Sequence, residues 1–492
     1  MRDLRLINRY VAYMLAVVLV FAASATAGNA ASPFQGFEYN FWAAVVPAPV
    51  AYLPTRTISA VDIDASLGPF SNPMDVAVCV DGNFFVADTG NNRIVVFDRD
   101  INLIMVIDGF YNGEVWDRFN APHGVFVCIN QMIYIADTNN RRIVILDIDA
   151  NLLSSIENPD MDMLGDVVDF RPRRIVADNA GRVYAVVANV FEGIMRFDAN
   201  GEFFGYFGTI SVSISPAQMF WRMIATQAQR DRMERFIPTE FTGIDVDAYG
   251  FIFATHAGRT AESDQVMRLN PRGNNVLRNF NDNIAIAGVQ SYNPFVVNSE
   301  FIDITARDSG KFSVLDGAVG RVFTYDSEGN LLYVFSGEGS IMGMNRNPVA
   351  IASFGDNIFI LDSLRGRLIE FEPTAYGMLI NEAIALRYAG DEAGSFEIWH
   401  QVLVINENSE LAFTGIGRYH LQNGNYTIAM EYLRRGMDLR YFSMALARRR
   451  QVFVEENISF VFTGVMVLVG LFVTRSIYRK VKRSGVEEDG AV

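Results

Sequence analysis

The chain has 492 residues, half of them hydrophobic and 20% charged, with a formal net charge of -15. That apolar content supports a large core and excludes disorder as the default state. The acidic balance argues against nucleic acid, whose phosphates call for a basic surface.

Residues 1–27 read as a secretory signal peptide: Arg2, Arg5 and Arg9 precede an apolar run, and Ala25, Thr26 and Ala27 form a small-residue cleavage pattern. An uncleaved signal anchor is the alternative. Residues 37–373 are repetitive. PMDVAVCVDGNFFVADTGNNRIVVFD begins at Pro73, and PHGVFVCINQMIYIADTNNRRIVILD begins 49 residues later at Pro122. Weaker copies begin at Pro172, Phe241, Phe301 and Pro348. Each copy runs from a short alternating strand through a Gly/Asp/Asn turn into a second strand, then through a polar loop into a third. A lone sheet of this kind buries neither face, so the copies stack around an axis. The expectation is a mainly β, six-bladed β-propeller. Residues 37–67 are placed to supply the missing outer strand of the last blade, leaving no open edge.

Four copies carry an Asp at the end of the second strand and an Arg at the start of the third: Asp88 with Arg93, Asp137 with Arg142, Asp316 with Arg321, Asp362 with Arg367. Such pairs clamp the loop between them, and their recurrence marks them as structural. The third copy has Val187 and the fourth His256 in place of the Asp. Cys79 and Cys128 hold one position of two neighbouring repeats, outside any CxxC or Cys/His pattern. They read as small buried strand residues, with a disulfide as the alternative.

Residues 215–238 read as a helical insertion, capped by Ser215 with Pro216 in the first turn. A second long connection covers residues 281–299. A small helical segment follows over 374–454, where Gly417, Gly424, Tyr426, Ala429 and Leu433 fall at spacings resembling a tetratricopeptide repeat. Residues 458–474 carry no charge over 17 positions, enough for one short transmembrane helix. Glu455 and Glu456 precede it; Arg475, Arg479, Lys480, Lys482 and Arg483 follow it in the tail 475–492. The positive flank belongs in the cytoplasm. The expectation is a single-pass protein of the cell membrane with its N-terminal ectodomain outside and its C-terminus inside.

The runs VADTGNNRIVVFD and IADTNNRRIVILD resemble NHL repeats, and the likeness extends over about residues 70–373. Two enzyme types of this architecture supply comparisons. Amidating lyases hold zinc with several histidines; here only His123 and His256 lie in the propeller, His400 and His420 being in the helical segment. Two imidazoles do not complete a three-histidine site. Lactonase-type propellers hold a divalent cation with acidic and amide side chains. The corresponding channel positions are read as Asp75, His123, Arg173, Gly243, Asp303 and Ala350. Asp75, His123, Arg173 and Asp303 would then make a polar ligand-binding pocket. GxSxG, HExxH and P-loop motifs are absent.

The expectation is therefore no catalytic residue, no metal and no cofactor, but a binding or scaffold protein. The whole arrangement resembles NHL-repeat proteins of Gram-positive bacteria associated with carbohydrate ABC transporters. That resemblance implies protein partners in or at the membrane, ABC-transporter subunits among them, and carbohydrate as a further ligand class. Two alternatives stand beside it. One is a lactonase-like hydrolase or lyase with a metal at the channel mouth. The other is a polysaccharide receptor stacking sugars on Trp116 and Trp221.

Overall fold

Apolar alternation broken by Gly, Asp and Asn turns produces antiparallel sheets, and the computed structural model contains six of them arranged as blades. It describes residues 35–42, 44–159, 169–208, 240–256, 265–277, 288 and 298–488. The expected signal peptide, the helical insertion with Trp221, and most of the 281–299 connection lie outside these residues.

An N-terminal hairpin, β1 (Phe37–Tyr39) and β2 (Val45–Pro47), precedes β3 (Tyr52–Ser59). Blade 1 is β4 (Asp75–Val78), β5 (Phe84–Asp88), β6 (Arg93–Phe97) and β7 (Leu103–Ile107). A second hairpin, β8 (Gly109–Asn112) and β9 (Val115–Arg118), leads to blade 2: β10 (Pro122–Val127), β11 (Ile133–Asp137), β12 (Arg142–Leu146) and β13 (Leu152–Ile156). Blade 3 is β14 (Pro172–Ala177), β15 (Val183–Val187), β16 (Ile194–Phe197) and β17 (Phe203–Phe207). Blade 4 shows three strands among the described residues, β18 (Phe241–Val246), β19 (Ile252–His256) and β20 (Val266–Leu269). Blade 5 is β21 (Phe301–Ala306), β22 (Phe312–Asp316), β23 (Arg321–Tyr325) and β24 (Leu331–Ser336). Blade 6 joins β25 (Pro348–Phe354), β26 (Asn357–Asp362) and β27 (Arg367–Pro373) to β3.

The first strands of the blades lie side by side in a closed cycle, β4, β10, β14, β18, β21, β25 and back to β4. They therefore line the axis. The second strands are buried along their whole length, as β5, β11 and β22 show. Both of their faces meet neighbouring blades, which is why they read as unbroken apolar runs rather than alternating ones. Phe84, Phe97 and Phe359, for example, meet between blades 6 and 1.

β3 pairs with β27 from Arg367 opposite Ser59 to Pro373 opposite Tyr52, so the N-terminal strand completes the last blade. Tyr52 is fully buried and stacks on Phe335 at 4.8 Å.

Three of the four expected clamps are ion pairs. Arg93 Nε donates to Asp88 at 2.7 Å and Arg142 Nε to Asp137 at 2.9 Å, while Arg367 lies 3.9 Å from Asp362. Each Asp also accepts from the backbone just ahead of its blade's first strand: Ser71 N at 2.7 Å, Asn120 N at 2.8 Å, Asn347 N at 3.2 Å. The fourth pair departs from expectation. Arg321 donates instead to the Tyr39 hydroxyl at 2.9 Å and covers Phe37, because the N-terminal hairpin packs on blade 5 there. Asp316 keeps its backbone role, accepting from Glu300 N at 3.1 Å. The Thr after the clamp Asp latches two blades to their neighbours: Thr89 Oγ1 donates to Pro122 O at 2.7 Å and Thr138 Oγ1 to Pro172 O at 2.6 Å. Cys79 and Cys128 are both free thiols, Cys79 buried and Cys128 half-buried.

Past Met378 the chain forms a second compact unit of helices. They are α1 (Ala375–Tyr388, which begins in the first unit), α2 (Glu392–Ile405), α3 (Glu410–Gln422), α4 (Tyr426–Arg435) and α5 (Leu439–Glu488). Asp391 caps α2 by accepting from Gly394 N, and Ser409 caps α3 by accepting from Ala412 N. A Cβ on Gly417 would lie 2.6 Å from Leu433 Cγ, so α3 and α4 approach as closely as glycine allows. Ala429 and Leu433 are fully buried in that seam, while Tyr426 is only half-buried.

The expected boundary between 454 and 458 does not exist as a break. α5 is one helix of 50 residues that begins among the other helices and runs through the apolar stretch. From Ile458 to Tyr478 its large side chains are exposed on every side. A helix apolar all round belongs in lipid or a core. Among the described residues this is the one helix long and apolar enough to cross a membrane.

The clamp of blade 2 gives a test. Asp137→Ala strands Asn120 N and leaves the part-exposed Asp117 as the one carboxylate that Arg142 meets among the described residues. It is expected to cost about 2–3 kcal/mol, whereas Asp117→Ala costs about 0.5–1 kcal/mol. Denaturant midpoints of the two variants, taken from intrinsic fluorescence, check the ranking.

Candidate functional site on the propeller axis

Five first strands carry a β-bulge directly after their first residue: the register shifts between Pro122 and Gly124, Pro172 and Arg174, Phe241 and Gly243, Phe301 and Asp303, and Pro348 and Ala350. A bulge puts two residues opposite one and re-aims the side chain that follows. The residues after the bulge, together with Asp75 of blade 1, form one ring: Asp75, Gly124, Arg174, Gly243, Asp303 and Ala350. The bulged residues, His123, Arg173, Thr242, Ile302 and Val349, with Met74 of blade 1, line a cup where the strands begin. The channel set expected from spacing mixed the two rings. Asp75, Gly243, Asp303 and Ala350 belong to the first, while His123 and Arg173 belong to the second. The basic residue of the axis is Arg174, buried; Arg173 is exposed at the cup.

Arg174 crosses the axis. Its Nη1 donates to Asp75 Oδ1, its Nη2 donates to Val349 O, and the same Nη2 lies 3.7 Å from Asp303 Oδ2. One guanidinium of blade 3 thus ties blades 1, 5 and 6. The carboxylates carry a second duty. Asp75 accepts from Val125 N at 3.0 Å, Asp303 from Ile351 N at 2.9 Å and Asp245 from Ala306 N at 2.7 Å. Each therefore staples its own inner strand to that of the next blade. Gly124 and Gly243 permit this closeness: a Cβ on Gly124 would sit 2.4 Å from Arg173 O, and one on Gly243 2.5 Å from Asp303 Cα.

The electrostatics follow from burial. Asp75 and Asp303 share one cation, and desolvation raises both. Asp75, directly hydrogen-bonded to Arg174, holds it more closely; Asp303 is pushed up to about 7. Among the described residues Asp245 faces no arginine, and burial lifts it to about 6. Desolvation opposes the Arg174 charge, but Asp303 and Asp75 outweigh it and hold its pKa up.

Arg174 separates two openings. At the strand starts is the cup, about 400 Å³, lined by the bulged residues with Glu240, Glu300 and Asn347. At the strand ends is a cavity of about 280 Å³ whose polar lining includes Asp75, Asp245, Asp303, Thr305 and Ser353. Among the described residues no three His, Cys, Asp or Glu side chains are grouped to hold a metal ion. Between Asp75 and Asp303 the guanidinium occupies the place a cation would take. His256 is buried beside Phe241, and His400 and His420 flank Phe396 in the helical unit. Trp116 is 42% exposed on β9, with Tyr111 edge-on against it at 4.8 Å. The expected set missed Arg174 and Asp245. Arg174 stands two residues after its repeat start, as Asp75, Gly243, Asp303 and Ala350 do, and that offset marks it; Asp245 has no acidic counterpart in other copies.

The NHL repeat family model matches residues 70–97, the first blade through its third strand. No curated protein matches the sequence. Among solved structures, virginiamycin B lyase from Staphylococcus aureus is similar at 12% identity over 64% of this chain and 98% of its own, with a TM-score of 0.41. The PQQ-bound aldose sugar dehydrogenase from Streptomyces coelicolor is similar at 15% identity over 66% and 100%, with a TM-score of 0.39. Likenesses this distant say nothing about chemistry.

The raised carboxyls set a pH dependence. The folded chain holds protons on Asp303 and Asp245 that the unfolded chain, with carboxyls near 3.8, releases. Their stabilising contribution is complete below that unfolded value and is lost as pH rises through about 6 and about 7. Asp303→Asn removes its share of this loss. Its melting temperature relative to wild type should climb between about pH 4 and pH 7.5, as thermal melts across that range will read. A constant difference would show that Asp303 titrates normally.

Proposed function

We propose that the protein is a membrane-anchored extracytoplasmic binding protein, an accessory or sensing component of a membrane complex such as a carbohydrate ABC transporter. The observation that carries this reading is the filled axis. Catalysis needs an acid, a base or a metal ligand free to meet a substrate. Here the axial carboxylates accept backbone N–H groups of the next blade, and two of them also engage Arg174. That commitment weighs against a metal-dependent hydrolase or lyase, which would need Asp75 and Asp303 as open oxygen ligands. What is left for function is surface: the two faces of the propeller, the aromatic β8–β9 hairpin and the helical hairpins. α5 supports the anchoring, since an apolar helix exposed along more than 20 residues has lipid as its natural surroundings.

Crosslinking in native membranes, followed by mass spectrometry, is the test. Integral membrane subunits should be recovered with the full-length chain in fixed ratio. Surface labelling of intact cells should reach the propeller and not the C-terminal tail. Recovery of the chain alone across crosslinker lengths, or a propeller reached only after lysis, would overturn the reading.

A further inference from the structure

We propose that the cup at the strand starts is a binding site for a small hydroxy-carboxylate, with Arg173 taking the carboxylate and His123 the adjacent hydroxyl. The site is independent of any membrane partner. It follows from what the six residues around the cup have left to offer. Met74, Ile302 and Val349 are apolar. Thr242 is spent: its hydroxyl lies 2.9 Å from Thr255 Oγ1 and donates to Phe301 O at 2.8 Å. Two polar heads remain, on neighbouring blades.

The first is an acceptor. His123 Nδ1 is 3.1 Å from Arg173 O. A carbonyl oxygen only accepts, so the proton sits on Nδ1 and Nε2 carries a lone pair. Burial and the charges of Arg174 and Arg173 bring the imidazole pKa down to about 3, so the ring is neutral at any physiological pH. A neutral acceptor calls for an O–H or N–H from its ligand. The second head is a cation. Arg173 is exposed, lines the cup, and makes no side-chain hydrogen bond or ion pair among the described residues. A free guanidinium fits a carboxylate with two parallel hydrogen bonds.

The His123–Arg173 hydrogen bond and the bulges of β10 and β14 hold the two heads at one side of the cup. A ligand that satisfies both carries a carboxylate and a hydroxyl close together. An ammonium at the same place would meet Arg173. The apolar residues face its carbon skeleton, and about 400 Å³ suits a molecule of a few to a dozen heavy atoms. Glu240, which accepts from Asn189 N at 2.8 Å, and Glu300 also line the cup and oppose a second negative charge. The shared chemistry belongs both to short 2-hydroxy acids and to sugar acids.

Isothermal titration of the full-length chain in detergent micelles tests this with D-lactate, D-gluconate, D-glucose and inorganic phosphate. At least one of the two acids should bind at one per chain, with glucose and phosphate at least tenfold weaker. Gluconate tighter than lactate identifies the sugar acid; equal affinities identify the 2-hydroxy acid motif alone. Arg173→Gln should lose at least tenfold in affinity with its melting temperature unchanged, and His123→Phe several-fold. No saturable binding of either acid, glucose or phosphate binding as tightly, or affinity untouched in Arg173→Gln would each overturn the proposal.

Discussion

Ring closure is the constraint on which the rest of the propeller depends. Bringing together segments separated by about 300 residues costs on the order of 5 kcal/mol in chain entropy. The pairing of β3 with β27 must outweigh that. It does so with a full strand ladder and the burial of Tyr52 and Ile58, each apolar side chain contributing about 1.5–3 kcal/mol. The same junction fixes where the chain leaves. Thr374 N donates to Ala51 O at 2.9 Å and Thr374 Oγ1 to Val50 O at 2.7 Å, so departure toward the helices is tied to the strand that closes the ring.

With the ring closed, six inner strands crowd one axis, and buried charge becomes affordable only where it is shared. Arg174 meets two carboxylates and a carbonyl from three blades. Asp75, Asp245 and Asp303 each accept from the next blade. The bulges then divide the labour. The residue after the bulge locks the axis, and the bulged residue is displayed at the cup. Adjacent positions in the chain, Arg173 and Arg174, thereby acquire opposite roles: one free toward solvent, one consumed in structure.

That division explains what was legible in the sequence. The blade count was readable because the second and third strands of each copy keep their pattern, and local clamps such as Asp88 with Arg93 span a four-residue loop that spacing alone resolves. The closing strand was readable because the last copy lacks one. The axial basic residue was misplaced by one position because two arginines stand side by side: Arg174 lies two residues after its repeat start, as Asp75, Gly243 and Asp303 do, and Arg173 one. Asp316 and Arg321 match the clamp spacing, yet Tyr39, far away in the chain, takes the arginine. Asp245 gains its character from Ala306 in the next blade and from burial, neither of which repeats can show.

The helical unit adds a mechanical argument to the proposed sensing role. α5 starts in contact with α4, where Ala445 is fully buried with Ala429 and Leu433. It then continues without proline to Glu488. Sharp kinks arise at proline, at glycine or serine pairs, or where the hydrogen-bond ladder is broken. Gly464 and Gly470 each stand alone within the apolar stretch. In the proposed anchored state, a partner that shifts the α3–α4 hairpin therefore shifts the upper turns of the rod whose apolar stretch would lie in lipid, and tilt or rotation passes along it instead of being absorbed at a joint. A flexible linker between the last helical hairpin and the apolar stretch would have isolated the two; the helix is continuous there.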